Sequence, residues 1–420
     1  MRKIKAKRTK GVNGKTLIVA VDIGMVTHTG YYRCPDGTDV RAFEFFNNGR
    51  GFQTFWERIS QAMRTHDLKD VVVGFESTGP YAEPLVHYLR KRPVRLVQVN
   101  PMHTKRLKEL QGNSPNKTDR KDPKVIADII ELGHALTLVV PEGAAAELRR
   151  LTQARERESQ RRTALFNQLQ HLVFIVFPEF LQEMKDIKTK SAQYLLKHHP
   201  TPPSIVESGV QALSLILRKI SRGQLGIERA QALVEAARGS VGIQQGGEGI
   251  RYEIKHIVDV IETSERFIAD VEQKMSDHLK QIPYSRSILS IKGIGEVTAA
   301  GLIGEVGDFH QFRTISEINK LAGLDLFEIS SGAHKGKRRI SKRGRPLIRK
   351  LLFFAALNVV RRDGILHEPY QKYLQRGMLK MKALVAIARR LLGIIFALVR
   401  NHSEYVKGYT QTQNLLKEAA

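Results

Sequence analysis

The stretch TLIVAVDIG at residues 16–24, with VVVGFE at residues 71–76 and VRLVQVN at residues 94–100, decides the fold class. Each is a short run rich in β-branched residues, which favours a strand. The segments around residues 52–65 and 81–90 have the apolar spacing of helices. Because short strands that alternate with helices are typical of α/β domains, the sequence predicts an α/β sheet in its amino-terminal third.

Changes in composition predict four parts. Residues 1–14 are basic and predict a flexible arm, and residues 15–141 carry the alternating strands and helices. Residues 142–282 are highly charged, with leucines that partly follow a heptad, and predict a helical, coiled-coil spacer or oligomerisation arm. Within it, GGEG at residues 246–249 predicts a loop. Residues 283–420 predict an all-helical carboxy-terminal domain.

The charge balance points to nucleic acid as the main partner. The 420 residues include 68 Lys and Arg against 42 Asp and Glu, a formal net charge of +26. Charge of this sign attracts polyphosphates, although another basic protein, bound to ribosomes or to a membrane surface, would share it. Cys34 is the single cysteine, which excludes an internal disulfide and favours the reducing cytoplasm. The most apolar later stretches are about half the ~20 residues that a membrane span requires, so no membrane association is expected.

Acidic residues stand at strand ends and at a helix start. Asp22 ends the first strand and Glu76 ends the next β-rich run, and we expect those two strands to be neighbours. Asp119 and Asp122, in KTDRKDPKVIADII, are three residues apart at a predicted helix start and share one face. Asp128, further along that helix, is expected to face elsewhere.

Carboxylates in this arrangement are the ligands of two-metal nucleases and strand transferases. Such sites use three or four acids to hold Mg²⁺ or Mn²⁺, because hard oxygen ligands select these ions. The alternative is that Asp22 and Glu76 are turn residues and that Asp119 or Asp122 only caps its helix. Their occurrence together in a basic protein favours the metal site.

The segment IKGIGEVTA at residues 291–299 predicts a helix-hairpin-helix. Gly293 and Gly295 would let the turn approach a phosphate, with Lys292 beside it and the next helix offering free backbone N–H groups. The alternative is an ordinary helix–helix connection. Beyond it, residues 330–350 carry nine Lys or Arg residues and no acid, which strengthens the nucleic-acid interpretation.

The order of these motifs resembles one family. VDIG, GFESTGPY and KTDRKDPKVIADI are similar to the RuvC-like, DEDD-type domain of the bacterial insertion-sequence transposases of family one hundred and ten, described as bridge-RNA-guided recombinases. GLDLFEISSGAHKGKRRISKRGRPLIRKLL resembles the family's second, transposase-type domain. The resemblance covers both ends of the chain, and the central helices carry little of it.

The resemblance implies an RNase H-like (RuvC-like) fold for the amino-terminal domain, with magnesium bound by Asp22, Glu76, Asp119 and Asp122. It also implies that Ser331 is a nucleophile that attacks a DNA phosphate, with Ser330 as the second choice. A structured guide RNA and a homo-oligomer, a dimer or tetramer in which one subunit's acids meet another's serine, follow from the resemblance as well. The residues expected to bind nucleic acid are Lys292, Gly293, Gly295, Lys335, Lys337, Arg338, Arg339, Lys342, Arg343 and Arg349.

The expected function is therefore magnesium-dependent cutting and rejoining of DNA that moves an insertion sequence. Two other functions stay open at this stage. A RuvC-like endonuclease or Holliday-junction resolvase would need the same four acids but no serine. A non-catalytic nucleic-acid-binding scaffold would need neither, and its acids would be incidental.

Overall fold

The computed structural model describes residues 12–76, 79–111, 122–243, 245–328, 336 and 338–406. The chain divides into two compact units, residues 1–139 and residues 140–420, and each is described by itself.

The first unit is built on a mixed six-stranded sheet. The strands lie in the order β3-β2-β1-β4-β5-β6, with β1, β4 and β5 parallel to one another and the other pairs antiparallel. This sheet is compatible with the expected RNase H-like domain. The strands are β1 (Thr16–Asp22), β2 (Thr27–Arg33), β3 (Phe43–Phe46), β4 (Asp70–Glu76), β5 (Arg95–Val99) and β6 (Leu136–Thr137).

Four helices within the described residues accompany the sheet, and two of them are important for the acids. The helices are α1 (Gly49–Thr65), α2 (Glu83–Leu89), α3 (Pro101–Gln111) and α4 (Asp122–Glu131). Ile18, Ala20 and Val72 share one apolar cluster with the buried face of α4. Since successive strand residues point to opposite faces, every second residue of β1 and β4 faces α4.

Gly74 allows α4 to pack closely on the sheet. A Cβ at this position would lie 2.4 Å from Ile130 Cδ1 and 2.8 Å from Val97 Cγ2, closer than van der Waals contact permits. Any larger residue would therefore push α4 away from β4.

The second unit is mostly helical. Its helices are α5 (Gly143–Val176), α6 (Phe180–Glu183), α7 (Lys190–His198), α8 (Pro202–Ile220), α9 (Ile227–Arg238), α10 (Gly247–Leu279), α11 (Ser285–Leu289), α12 (Glu296–Val306), α13 (Ile315–Ala322), α14 (Pro346–Val359), α15 (His367–Gln375) and α16 (Lys380–Arg400). Within the described part of the chain, every helix is too short or too polar to cross a lipid bilayer.

The long helices α5 and α10 form an antiparallel pair. Arg155 Nε donates to Glu272 Oε1 at 2.7 Å, and Gln168 Nε2 donates to Glu253 Oε1 at 2.8 Å further along. Helix α5 also packs against α12, so the central helices and the carboxy-terminal helices share one core. The boundary expected between residues 282 and 283 stays a prediction.

Two details differ from the expectations. The carboxy-terminal region is not all-helical, because β7 (Leu326–Phe327) pairs with β8 (Arg339–Ile340) in a small antiparallel ribbon. The predicted loop at residues 246–249 is limited to its first residue, since α10 begins directly after Gly246, which has φ +74°. The packing of the buried face along this 33-residue helix stabilises it by more than the low helix propensity of the two glycines in its first turn costs.

Candidate metal and nucleic-acid site

Asp22 and Glu76 end two neighbouring parallel strands at the same level, as the sequence led us to expect. Val21 pairs in register with Phe75, so the next residue of each strand is one of the two acids. By strand alternation they share the face of Ala20, the face that α4 covers. The sheet therefore delivers two half-exposed carboxylates side by side at the carboxyl ends of β1 and β4.

Helix α3 brings polar partners to the acids. The Thr104 hydroxyl is buried and lies 2.9 Å from Glu76 Oε2, where it donates a hydrogen bond. Lys108 Nζ lies 2.6 Å from Asp122 Oδ1. Because Thr104 and Lys108 are four residues apart, they stand one helical turn apart on one face, about 6 Å between Cβ atoms. Glu76 and Asp122 are thereby brought to neighbouring points along α3.

Asp122 is the first residue of α4 and points its carboxylate at α3, with its side chain 15% exposed. Asp119, the remaining acid of the expected set, lies outside the described residues. Among the side chains that the structure describes, no three of His, Cys, Asp or Glu converge closely enough to hold one metal ion. The four-acid site therefore stays a prediction. The structure shows that Asp22 and Glu76 end neighbouring strands in register, and that side chains of α3 contact both Glu76 and Asp122.

Asp128 lies away from this edge. Its Oδ1 is 2.8 Å from Arg33 Nη1 on β2. Arg33 pairs in register with Ile18, four residues before Asp22 along β1 and thus about 13 Å from it. The structure thus separates Asp128 from the candidate ligands, and it provides a cation to balance the charge.

The loops beside the acids are held by two polar side chains. His28 is buried, and its Nδ1 accepts a hydrogen bond from the Gly24 N–H at 3.2 Å. Burial lowers the pKa of His28, so the ring is neutral near pH 7. Asn47 Nδ2 donates to the carbonyls of Met25 at 3.2 Å and Tyr81 at 3.1 Å. The loop after β1 and the segment after β4 are therefore joined at one point.

The Gly-x-Gly turn lies between α11 and α12, as its spacing predicts. Gly293 has φ +105°, a conformation that favours glycine, and its carbonyl accepts a hydrogen bond from Asn358 Nδ2 at 3.3 Å. The exposed Lys292 pairs with Asp363. Gly295 caps α12 with its backbone alone, which leaves the first N–H groups of that helix without a side-chain cap. Phosphate binding by this turn stays a prediction.

The expected basic residues differ in their exposure. Arg339, Lys342 and Arg343 are exposed, as is Arg338, whose Nε lies 3.1 Å from Glu328 Oε2. Arg349 is partly buried, and its Nη1 donates to the carbonyl of Ala322 at 2.8 Å. This contact gives Arg349 a structural role in addition to any contact with nucleic acid.

Arg345, which no motif indicated, ties the basic segment to the core. It donates a hydrogen bond to the Glu305 carbonyl. Burial, and to a smaller extent the nearby positive charge of Arg149, lowers the pKa of Arg345 to about 10. The remaining expected residues of this region lie outside the described part of the chain; they are Ser330, Ser331, Lys335 and Lys337.

Thr104 and Lys108 were not expected at the site from the sequence. The sequence does mark the start of this helix, because Asn100 directly follows a strand and precedes Pro101, and in the structure its Oδ1 accepts a hydrogen bond from the Met102 N–H at 2.9 Å, as a helix cap does. A helix that begins beside the acids carries its i and i+4 residues past them.

Comparison with known proteins gives the same family at both ends of the chain. A family model named for DEDD-type IS110 transposases and described as "Transposase" matches residues 19–178. A second, described as "Transposase IS116/IS110/IS902 family", matches residues 285–371.

Individual relatives extend the match. The 43.6 kDa protein of insertion element IS110 from Streptomyces coelicolor is 21% identical over 93% of this chain and 95% of its own length. The 44.8 kDa protein of insertion element IS116 from Streptomyces clavuligerus is 24% identical over 71% of this chain and 74% of its own. The transposase of element IS1111A from Coxiella burnetii is 28% identical over 37% of this chain and 45% of its own. This chain is a transposase, and it belongs to the IS116/IS110/IS902 family.

Proposed function

We propose that this transposase moves an insertion sequence by cutting and rejoining DNA, with Asp22, Glu76, Asp119 and Asp122 holding Mg²⁺ or Mn²⁺. The observation that carries the proposal is that Asp22 and Glu76 end adjacent parallel strands at one level, on the face where α4 begins with Asp122. This edge offers hard carboxylate oxygens, and Asp122 already attracts a cation, the ammonium of Lys108.

The residues around the acids have separate tasks. Thr104 fixes one oxygen of Glu76, and the other would remain available to a metal ion. Lys108 offsets part of the negative charge that the acids place together. Bound there, a divalent ion would polarise the reacting phosphate and stabilise the charge that develops on its oxygens.

We propose Ser331 as the nucleophile that attacks the DNA, on the strength of the family resemblance. Its hydroxyl oxygen bonds to a DNA phosphorus while the bond from phosphorus to one deoxyribose oxygen breaks, and the serine proton goes to that leaving oxygen. Attack by the hydroxyl of another strand then reverses the step and releases the serine. The linkage conserves the phosphodiester bond energy, so strands can be rejoined without another energy source.

Three further features of the proposal follow from the family resemblance. The nucleic-acid contacts come from exposed cations such as Arg339, Lys342 and Arg343, with a structured guide RNA pairing with the DNA. The protein acts as a homo-oligomer in which the acids of one subunit serve the serine of another.

The decisive experiment compares Asp119→Asn with Asp70→Asn. Asp70 is exposed and lies at the opposite end of β4, so its substitution controls for the loss of one charge. With the element and its flanking DNA as substrate, Asp119→Asn is expected to abolish strand cleavage while DNA binding stays nearly unchanged, because metal ligands are few and phosphate contacts many. Equal loss of cleavage and binding would contradict the proposal.

Ser331→Ala tests the covalent step, with Ser330→Ala as the matched control. Recombination is expected to stop in the first variant and to persist in the second. Undiminished recombination by Ser331→Ala would remove the serine from the mechanism, and cleavage without rejoining would favour a hydrolytic nuclease.

A further inference from the structure

Four large apolar side chains are exposed at the edge of the sheet where the acids emerge. They form what we call the apolar rim: Met25 (64% exposed), Val26 (61%), Phe46 (59%) and Tyr81 (43%). Single exposed apolar residues are ordinary on protein surfaces, but a group of them in one place marks a binding surface.

Asn47 connects the segments of the rim by hydrogen bonds. Its backbone N–H donates to the Val26 carbonyl at 2.8 Å, and its side chain donates to the carbonyls of Met25 and Tyr81. Phe46 precedes it in the chain. Because Asn47 joins its own segment to two others by hydrogen bonds, the rim is fixed in place before any ligand arrives, which lowers the entropic cost of binding.

The rim adjoins the acids at the carboxyl ends of β1 and β4. It begins three residues after Asp22 and ends five residues after Glu76. One exposed cation, Arg50, and two exposed acids, Glu44 and Glu83, lie close to the rim in the sequence. Exposed aromatic faces beside the candidate metal ligands fit a nucleic-acid strand whose bases present apolar faces.

We propose that the apolar rim binds unpaired bases of the DNA strand that the acids process, with Phe46 and Tyr81 stacking on them. The inference rests on the proposed function, since it supplies the strand to the same edge of the sheet. Bases in a duplex are stacked on one another and have no free faces, so the rim distinguishes an opened strand from a closed helix. Strand exchange produces such opened strands.

The test is the double variant Phe46→Leu/Tyr81→Leu in the full chain. Leucine keeps an apolar side chain but removes the aromatic face. The probe is a single-stranded oligonucleotide that carries 2-aminopurine, with a duplex of the same sequence beside it, in buffer with chelator so that metal binding plays no part. We expect the variant to bind the single strand roughly fivefold more weakly or worse and to lose quenching of 2-aminopurine, with duplex affinity unchanged.

The matched control is Phe174→Leu/Tyr252→Leu, whose aromatic side chains are 63% and 79% exposed in the second unit. It should bind both probes like the unaltered chain. Unchanged single-strand affinity of the rim variant would overturn the proposal. A change in its sedimentation, with DNA binding intact, would assign the rim to a second copy of the chain instead. Since the assay needs no metal, failure here is distinct from failure of the acids to support cleavage.

Discussion

Lys108 Nζ lies 2.6 Å from Asp122 Oδ1, on the same face of α3 as the threonine that binds Glu76. One short helix therefore contacts two of the expected metal ligands, through a hydroxyl at one and a cation at the other. The cation occupies an oxygen that a divalent ion would need, so the two compete for Asp122.

Lys108→Met is expected to tighten binding of Mn²⁺ by up to about fivefold, since a partly exposed ion pair contributes about 0.2–1 kcal/mol. Isothermal titration with Mn²⁺ measures it. Lys105→Met, an exposed lysine on the same helix, should leave the affinity unchanged. Weaker or equal binding by Lys108→Met would show that the ammonium does not compete with the metal.

Thr104→Val should destabilise the protein and slow cleavage, because valine has the same shape and cannot donate to Glu76 Oε2. Because Glu76 is partly exposed, water can replace part of the lost hydrogen bond, and we expect a cost of about 0.5–1.5 kcal/mol. Urea unfolding measures the loss of stability, and a cleavage assay measures the effect on the acids. Thr104→Ser restores the hydroxyl and should recover both; if serine and valine behave alike, the hydrogen bond is unimportant.

His28 should make stability depend on pH. Burial lowers the pKa of His28 in the folded protein, whereas the unfolded chain has an ordinary value near 6.5. Below that pH the unfolded chain binds more protons than the native state, so the free energy of unfolding falls as the pH drops from 7.5 to 5.5. His28→Gln removes this contribution, and its urea midpoint should change less over the same interval. Equal pH dependence in both proteins would contradict the prediction.

Gly74→Ala should destabilise the first unit by about 1–3 kcal/mol, because the added Cβ overlaps Ile130 Cδ1. Ile130→Val removes that methyl group and leaves the backbone of α4 unchanged. Combined with Gly74→Ala, it should recover part of the lost stability in thermal unfolding. Additive losses in the double variant would mean that the overlap is not the cause.

The long periodic segments could be predicted from the sequence. The helix expected at residues 52–65 is Gly49–Thr65, and that expected at residues 81–90 is Glu83–Leu89. The earlier start of the former reflects Asn48, whose Oδ1 accepts from the Gly51 N–H at 2.9 Å. The strand Thr27–Arg33 was missed, because THTGYYR has no regular alternation and is held as a strand by its neighbours.

The candidate site was predicted in part. The positions of Asp22 and Glu76 at adjacent strand ends follow from the pattern of short strands, and the register confirms that the two strands are neighbours. Thr104 and Lys108 could not be assigned to the acids, because their contacts depend on how α3 packs against α4. The sequence of α3, PMHTKRLKELQ, carries no motif that reveals this packing.

The glycine beneath Ile130 also has a role in the alignment of the sheet. Strand β4 is apolar on both sides, so hydrophobicity alone would tolerate a shift by one residue, yet that shift would turn Glu76 to the opposite side. It would also place Val73 or Phe75 under α4, where no side chain fits. Gly74 thus disfavours a shifted register in which the strand would still bury its apolar residues but Glu76 would face away from Asp22. The smallest residue of the strand therefore determines on which side of the sheet its acid lies.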